Sequence, residues 1–110
     1  MKETQMLKGL LEGCVLALIQ QGAGEIYGYE LVQRLKASGF TTIVGGTIYP
    51  LLQKLEKNQL IKGELRKSAE GPDRKYFTLT TLGEQSLADF QRQWREMEGK
   101  VNRLLGGNEA

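Results

Sequence analysis

The hydrophobic positions of this chain fall into four helical stretches and one extended pair. Met6, Leu7, Leu10, Leu11, Cys14, Val15 and Leu18 recur at spacings of three and four, which predicts a helix over 6–21. From Cys14 to Ile19 the residues are apolar all round, so this segment is expected at the centre of the fold, and Gln21-Gly-Ala-Gly stops it. A second helix fits Gly28–Ser38, with Tyr29, Leu31, Val32 and Leu35 on one side and Arg34 and Lys36 elsewhere. A third fits Thr47–Gln59, with Leu51, Leu52, Leu55 and then Leu60 inward. Pro50 suits a first turn with Thr47 as N-cap; a start near Gly45 would instead cost Pro50 one backbone bond, and the pattern leaves both open.

The pattern then changes period. Leu60–Arg66 alternates loosely, Lys75–Thr80 is rich in strand formers, and Ser68–Asp73 between them has the composition of a loop. A two-stranded hairpin is marginal alone, so it is expected to lean on the helices, with Tyr76 and Leu79 facing inward. Thr81–Leu105 is one long helix. Its apolar residues Leu87, Phe90, Trp94, Met97, Val101 and Leu104 step by three and four, a heptad seam that calls for another helix. A second copy of the chain is the expected partner, giving a homodimer; the alternative is that the seam packs back on the first helix of its own chain. Three helices followed by a hairpin is the winged-helix order. The expected fold is therefore mainly α with a two-stranded wing: a winged helix-turn-helix over 1–80, then a C-terminal dimerisation helix over 81–105. The helix over 6–21 is expected to share the dimer interface.

Composition narrows the chemistry. The chain has 110 residues, 40% apolar and 25% charged, an ordinary globular balance. It contains no histidine, one cysteine (Cys14) and two aspartates (Asp73 and Asp89). Ser-His-Asp and Cys-His catalysis and imidazole zinc sites are thereby removed. No catalytic residue, metal or cofactor is expected, and Cys14 in its apolar run is expected to be a small hydrophobe. The longest apolar run is too short for a bilayer, and the start lacks secretory-signal features, so no membrane partner and a cytoplasmic location are expected. The net charge of +2 is unevenly spread. Residues 28–75 hold nine basic and five acidic groups, while each flanking segment is net −1. A central basic surplus is the electrostatic footprint of phosphate binding, although a solvated surface has the same composition.

Gly46-Thr-Ile-Tyr-Pro-Leu-Leu-Gln-Lys-Leu-Glu-Lys-Asn-Gln-Leu-Ile61 is similar to the recognition-helix signature of the PadR family of prokaryotic transcriptional regulators. Glu70-Gly-Pro-Asp-Arg-Lys-Tyr-Phe-Thr-Leu-Thr80, with Gly83, resembles that family's wing, and Tyr27-Gly-Tyr-Glu-Leu31 the start of its second helix. Ile43-Val44-Gly45 departs from the polar cap and Pro of many relatives, and Asn58-Gln59 from their Gly-containing turn. The resemblance implies a homodimeric, ligand-responsive repressor that binds a double-stranded DNA operator. A winged-helix protein-interaction module without DNA affinity is the alternative.

On this reading Gly46, Thr47, Tyr49, Lys54 and Lys57 of the third helix approach DNA, with Arg34 and Lys36 of the second. Lys67, Arg74 and Lys75 act at the wing, where an arginine can enter a minor groove. Tyr49 has a second reading, a half-buried ring anchoring its helix, and Glu56 is expected to pair with a neighbouring cation. Leu87, Phe90, Trp94, Met97, Val101 and Leu104 form the dimer interface. Trp94 either packs there as core or, with Met6, Gly9, Gly13, Leu16 and Phe90, lines a slot for a planar aromatic effector.

Overall fold

The computed structural model describes residues 1–106. In chain order it contains α1 (Glu3–Leu7), α2 (Leu11–Gly22), β1 (Ile26–Tyr27), α3 (Gly28–Ala37), α4 (Gly45–Lys57), β2 (Ile61–Arg66), β3 (Arg74–Leu79) and α5 (Thr81–Leu104). This is a winged helix: α3 and α4 form the helix-turn-helix, the β2–β3 hairpin is the wing, and α5 is the long C-terminal helix.

The expected helix over 6–21 is two helices. Gly9 sits at φ +91°, outside the range a helix allows, and the Leu10 N–H donates to the Leu7 carbonyl in the intervening turn. The break lets α1 turn back so that Leu7 is buried alongside the inward residues of α2, namely Val15, Leu16 and Ile19. The sheet also has a third strand. Short β1 pairs antiparallel with β3, Ile26 opposite Phe77 and Tyr27 opposite Tyr76, giving the order β1-β3-β2. The edge that the hairpin alone would expose is thus partly covered.

In α4 the helix begins at Gly45, so Thr47 is its third residue and not its cap. Val44 occupies the cap position without a side-chain hydrogen bond, and its carbonyl accepts from the N–H groups of Thr47 and Ile48. Pro50 therefore lies inside the helix, where it cannot donate to the carbonyl four residues back, that of Gly46. The apolar stripe still holds: Ile48, Leu52 and Leu55 are buried against α3, whose Leu31, Val32 and Leu35 face them. Phe77 points into this core from β3, which puts Tyr76, expected inward, on the opposite face of the sheet, half-buried.

Two local devices join the wing to α5. Gln59 carries the chain out of α4 at φ +62°, a left-handed turn made here without glycine. Thr80 then caps α5: its hydroxyl accepts from the Gly83 N–H at 3.0 Å and donates to the Gln59 carbonyl at 2.6 Å. Gly83 is pressed onto that turn so closely that a Cβ would stand 1.9 Å from the Leu60 carbonyl oxygen.

The seam of α5 divides into two parts. Leu87 is 2% exposed within the single chain, so it is a core residue and not, as expected, an interface residue. The Phe90 ring occupies the place that a Gly13 side chain would need; a Cβ there would lie only 2.3 Å from the ring. Beyond, Trp94, Met97, Val101 and Leu104 are exposed.

Candidate nucleic-acid interface

A groove of about 400 Å³ runs between α4 and the wing. Tyr49, Gln53 and Glu56, spaced by four and three along α4, form one wall; Asp73, Arg74 and Lys75 at the start of β3 form the other; Tyr27 and Tyr29 close the end. Tyr49 takes its place because two glycines leave room for its ring. A Cβ at Gly28 would lie 2.5 Å from one edge of the ring and a Cβ at Gly45 2.9 Å from the other. The ring is thus wedged between the first residues of α3 and α4, and it remains 48% exposed. Anchoring and availability coexist in Tyr49. Gly46 meets nothing within 4 Å and leaves the helix N-terminus open, where the first N–H groups have no intrahelical partners.

The outer face of the sheet carries a feature absent from the sequence expectations. The Tyr27 and Tyr76 rings meet edge to face at 5.5 Å, and Tyr29 stacks on Tyr27 at 6.5 Å. The Arg74 guanidinium lies over Tyr27 at 4.7 Å and the Arg66 guanidinium over Tyr76 at 4.4 Å. Such contacts draw a cation to the negative face of the ring. Arg66 is further bound by Glu64 and Glu25 and donates to the Gly24 carbonyl at 3.2 Å. The hydrogen bonds to Glu64 and then Glu25 raise its pKa, and the neighbouring Tyr76 hydroxyl raises that of Arg74. Arg66 is therefore a structural tie between the loop end of the wing and the α2–β1 turn. Arg74 has no carboxylate partner within ion-pair distance among the described residues. The cluster is hard to read from sequence because its members come from β1, β2, β3 and the start of α3.

The other predicted DNA-contact residues are dispersed. Thr47 and Lys54 lie on a different side of α4, along a groove shared with α1 and α2, where the Lys54 ammonium is 3.8 Å from Glu12. The Lys75 ammonium is held by Glu56 at 2.7 Å and is not projected outward. Lys57 and Lys67 are exposed, as are Arg34 and Lys36 in the last turn of α3, none of them lining the groove.

A second, apolar cavity of about 460 Å³ lies where α1, α2 and α5 meet. Met6, Leu7, Leu10, Cys14, Phe40, Phe90 and Trp94 line it, with Glu3 at its polar edge. Three residues assigned to such a slot from sequence lie elsewhere. Leu16 is buried in the core, Gly9 is in the α1–α2 turn, and the space over Gly13 is filled by Phe90. Burial pushes the Cys14 thiol above its ordinary pKa. Among the described residues no helix is long and apolar enough to cross a membrane, and no cluster of three acidic, cysteine or histidine side chains could hold a metal.

The profile of the transcriptional regulator PadR-like family matches residues 15–89. A Streptococcus transcriptional regulator of known crystal structure is 60% identical, covering 93% of this chain and 98% of its own, with a TM-score of 0.81. A PadR-like transcriptional regulator from Bacillus cereus is 47% identical, covering 94% and 99%, with a TM-score of 0.83. Bacillus subtilis PadR, solved in complex with operator DNA, is 28% identical, covering 74% of this chain and 47% of its own, with a TM-score of 0.67.

Proposed function

The chain belongs to the PadR-like family of transcriptional regulators, and on that premise we propose that it is a homodimeric, ligand-responsive repressor that binds operator DNA in the cytoplasm. The observation that carries the reading is one groove that brings Tyr49 of α4 together with Arg74 of the wing. In a helix-turn-helix the second helix enters the major groove, and a cation beside it meets the backbone or the flanking minor groove. Gly46 and Tyr49 then approach the duplex at the start of α4, with Thr47 on the other side of the same turn and Lys57, Lys67 and Arg74 on phosphate. Arg34, Lys36 and Lys54 lie farther from the groove and add to the basic surround. The operator complex of Bacillus subtilis PadR supports duplex DNA as the partner.

The exposed part of the α5 seam supports a two-fold dimer through Trp94, Met97, Val101 and Leu104. Two chains so joined present two recognition helices, and occupancy of an operator blocks transcription sterically. The apolar cavity has a size suited to a small organic ligand, and a planar aromatic effector contacting Met6, Phe90 and Trp94 sits next to that joint. An effector that binds one separation of the subunits better than another shifts DNA affinity by that difference.

Fluorescence anisotropy on DNA from the control region of its own gene tests the reading. Binding is expected to weaken steeply with salt, and Arg74→Gln is expected to shallow the log–log slope by about 0.9 per protomer. A slope unchanged by Arg74→Gln removes Arg74 from the contact set, and absence of any binding in dilute buffer removes the DNA-binding function. Tryptophan fluorescence unquenched by a panel of planar aromatics removes the effector site at Trp94.

A further inference from the structure

The Glu56–Lys75 pair lies in the groove proposed to receive DNA, where a carboxylate is out of place. Glu56 is the only acidic residue of α4. It stands in the last turn, where the partial negative charge of the helix end disfavours another negative group. It shares a wall with Tyr49 and Gln53, so it faces the space that phosphates would approach. What holds it there is Lys75, whose Nζ lies 2.7 Å from Oε1.

The path of Lys75 is prepared independently by β2. Lys75 pairs with Leu65 in the hairpin, and Gly63 lies two residues along the same face. A Cβ at Gly63 would lie 2.3 Å from Lys75 Cε and 2.9 Å from Cγ. The missing side chain is thus the lane along which the lysine stem crosses β2 to reach α4. Its neighbour Arg74 points to the opposite face and stacks on Tyr27.

We propose that Glu56 is an intramolecular competitor for phosphate: it withholds the Lys75 ammonium from DNA and so caps the chain's sequence-independent affinity. The proposal rests on the DNA-binding reading and deepens it. A lysine that neutralises a phosphate releases a counterion and adds affinity whatever the sequence. A lysine already neutralised by a carboxylate releases none. The wing therefore offers Arg74 to the duplex and keeps Lys75 as a strut to the recognition helix, which leaves the bound protein easier to exchange.

The test is a double-mutant cycle of Glu56→Gln and Lys75→Gln, with thermal melting to establish that each variant folds. Anisotropy on a mixed-sequence duplex of about 30 bp, between about 50 and 200 mM salt, gives the slope of log affinity against log salt. E56Q is expected to bind several-fold more tightly and to steepen the slope by about 0.9 per protomer on the DNA. K75Q is expected to leave the wild-type slope unchanged but to abolish the steepening in the E56Q background. The proposal is overturned if E56Q leaves the slope as it was, or if K75Q shallows the wild-type slope as much as it does the E56Q slope. If E56Q does not fold, K75Q alone decides, since a shallower slope means that Lys75 already touches phosphate. Failure of the wild-type chain to bind any duplex would instead remove the DNA-binding reading, and this proposal with it.

Discussion

The two halves of α5 carry the same three-four spacing of apolar residues and meet opposite surroundings. In the first half Leu87 is buried and Phe90 fills the notch left by Gly13 on α2. In the second half Met97 is 55% exposed, Val101 41% and Leu104 88%, with Trp94 at the boundary. Length explains the split. At about 1.5 Å per residue, the 12 residues of α2 reach only half as far as the 24 of α5. A heptad seam states that a helix needs a partner; the reach of the rest of the chain decides how much of that partner is internal. The molecule is accordingly elongated, 54 Å by 30 Å by 20 Å.

Substitutions in the two halves of α5 are expected to act differently. Leu87→Ala in the packed half is expected to destabilise each protomer by about 2–5 kcal/mol, from lost burial and a residual cavity, read as a lowered urea midpoint. Val101→Glu in the exposed half is expected to leave the helical content of the chain largely intact but to place like charges at the proposed two-fold joint. Dissociation should shift at least tenfold in sedimentation equilibrium. If the two substitutions exchanged effects, the division of α5 would be wrong.

Substitutions at the junction before α5 are expected to have smaller effects. Thr80→Ala removes the hydroxyl that accepts from Gly83 and donates to Gln59, and is expected to cost about 1 kcal/mol in chemical denaturation. Gln59→Gly relieves a left-handed residue and is expected to stabilise the fold by up to about 1 kcal/mol. The smallest effect is at Cys14, whose proton is held more tightly in the folded than in the unfolded chain because burial raises its pKa. Native alkylation by iodoacetamide at mildly alkaline pH should therefore be slower than that of a free thiol and speed up in urea. By the same sign, this contribution to stability is present at neutral pH and declines as pH rises through the thiol range.

Much of this fold is legible in the sequence, for identifiable reasons. The α3 stripe and the α5 seam are long enough for their period to dominate, and the hairpin shows through the strand-forming residues of 75–80 and the loop composition of 68–73. The break between α1 and α2 is hidden because Leu7, Leu10 and Leu11 keep helical spacing on either side of a single unusual glycine. The strand β1 escapes notice because two residues carry no period. Thr47 has the chemistry of a cap, whereas Val44 takes the position with its backbone alone. Of the candidate interface, Tyr49 and Arg74 do share a groove, and Glu56 pairs with a cation as expected, but spacing cannot reveal that this cation is Lys75 or that Glu12 engages Lys54. Those pairings are made across the fold, by Glu12 from α2 and by Glu56 from α4 to the wing.

On the proposed reading, two copies of this chain, joined by the exposed half of α5, act together on one DNA duplex. Native mass spectrometry of the chain mixed with a duplex from its own control region tests it most directly. The expected species is one duplex carrying two chains, abolished by Val101→Glu; a duplex carrying a single chain, or a duplex left free, would overturn the dimeric DNA-binding reading.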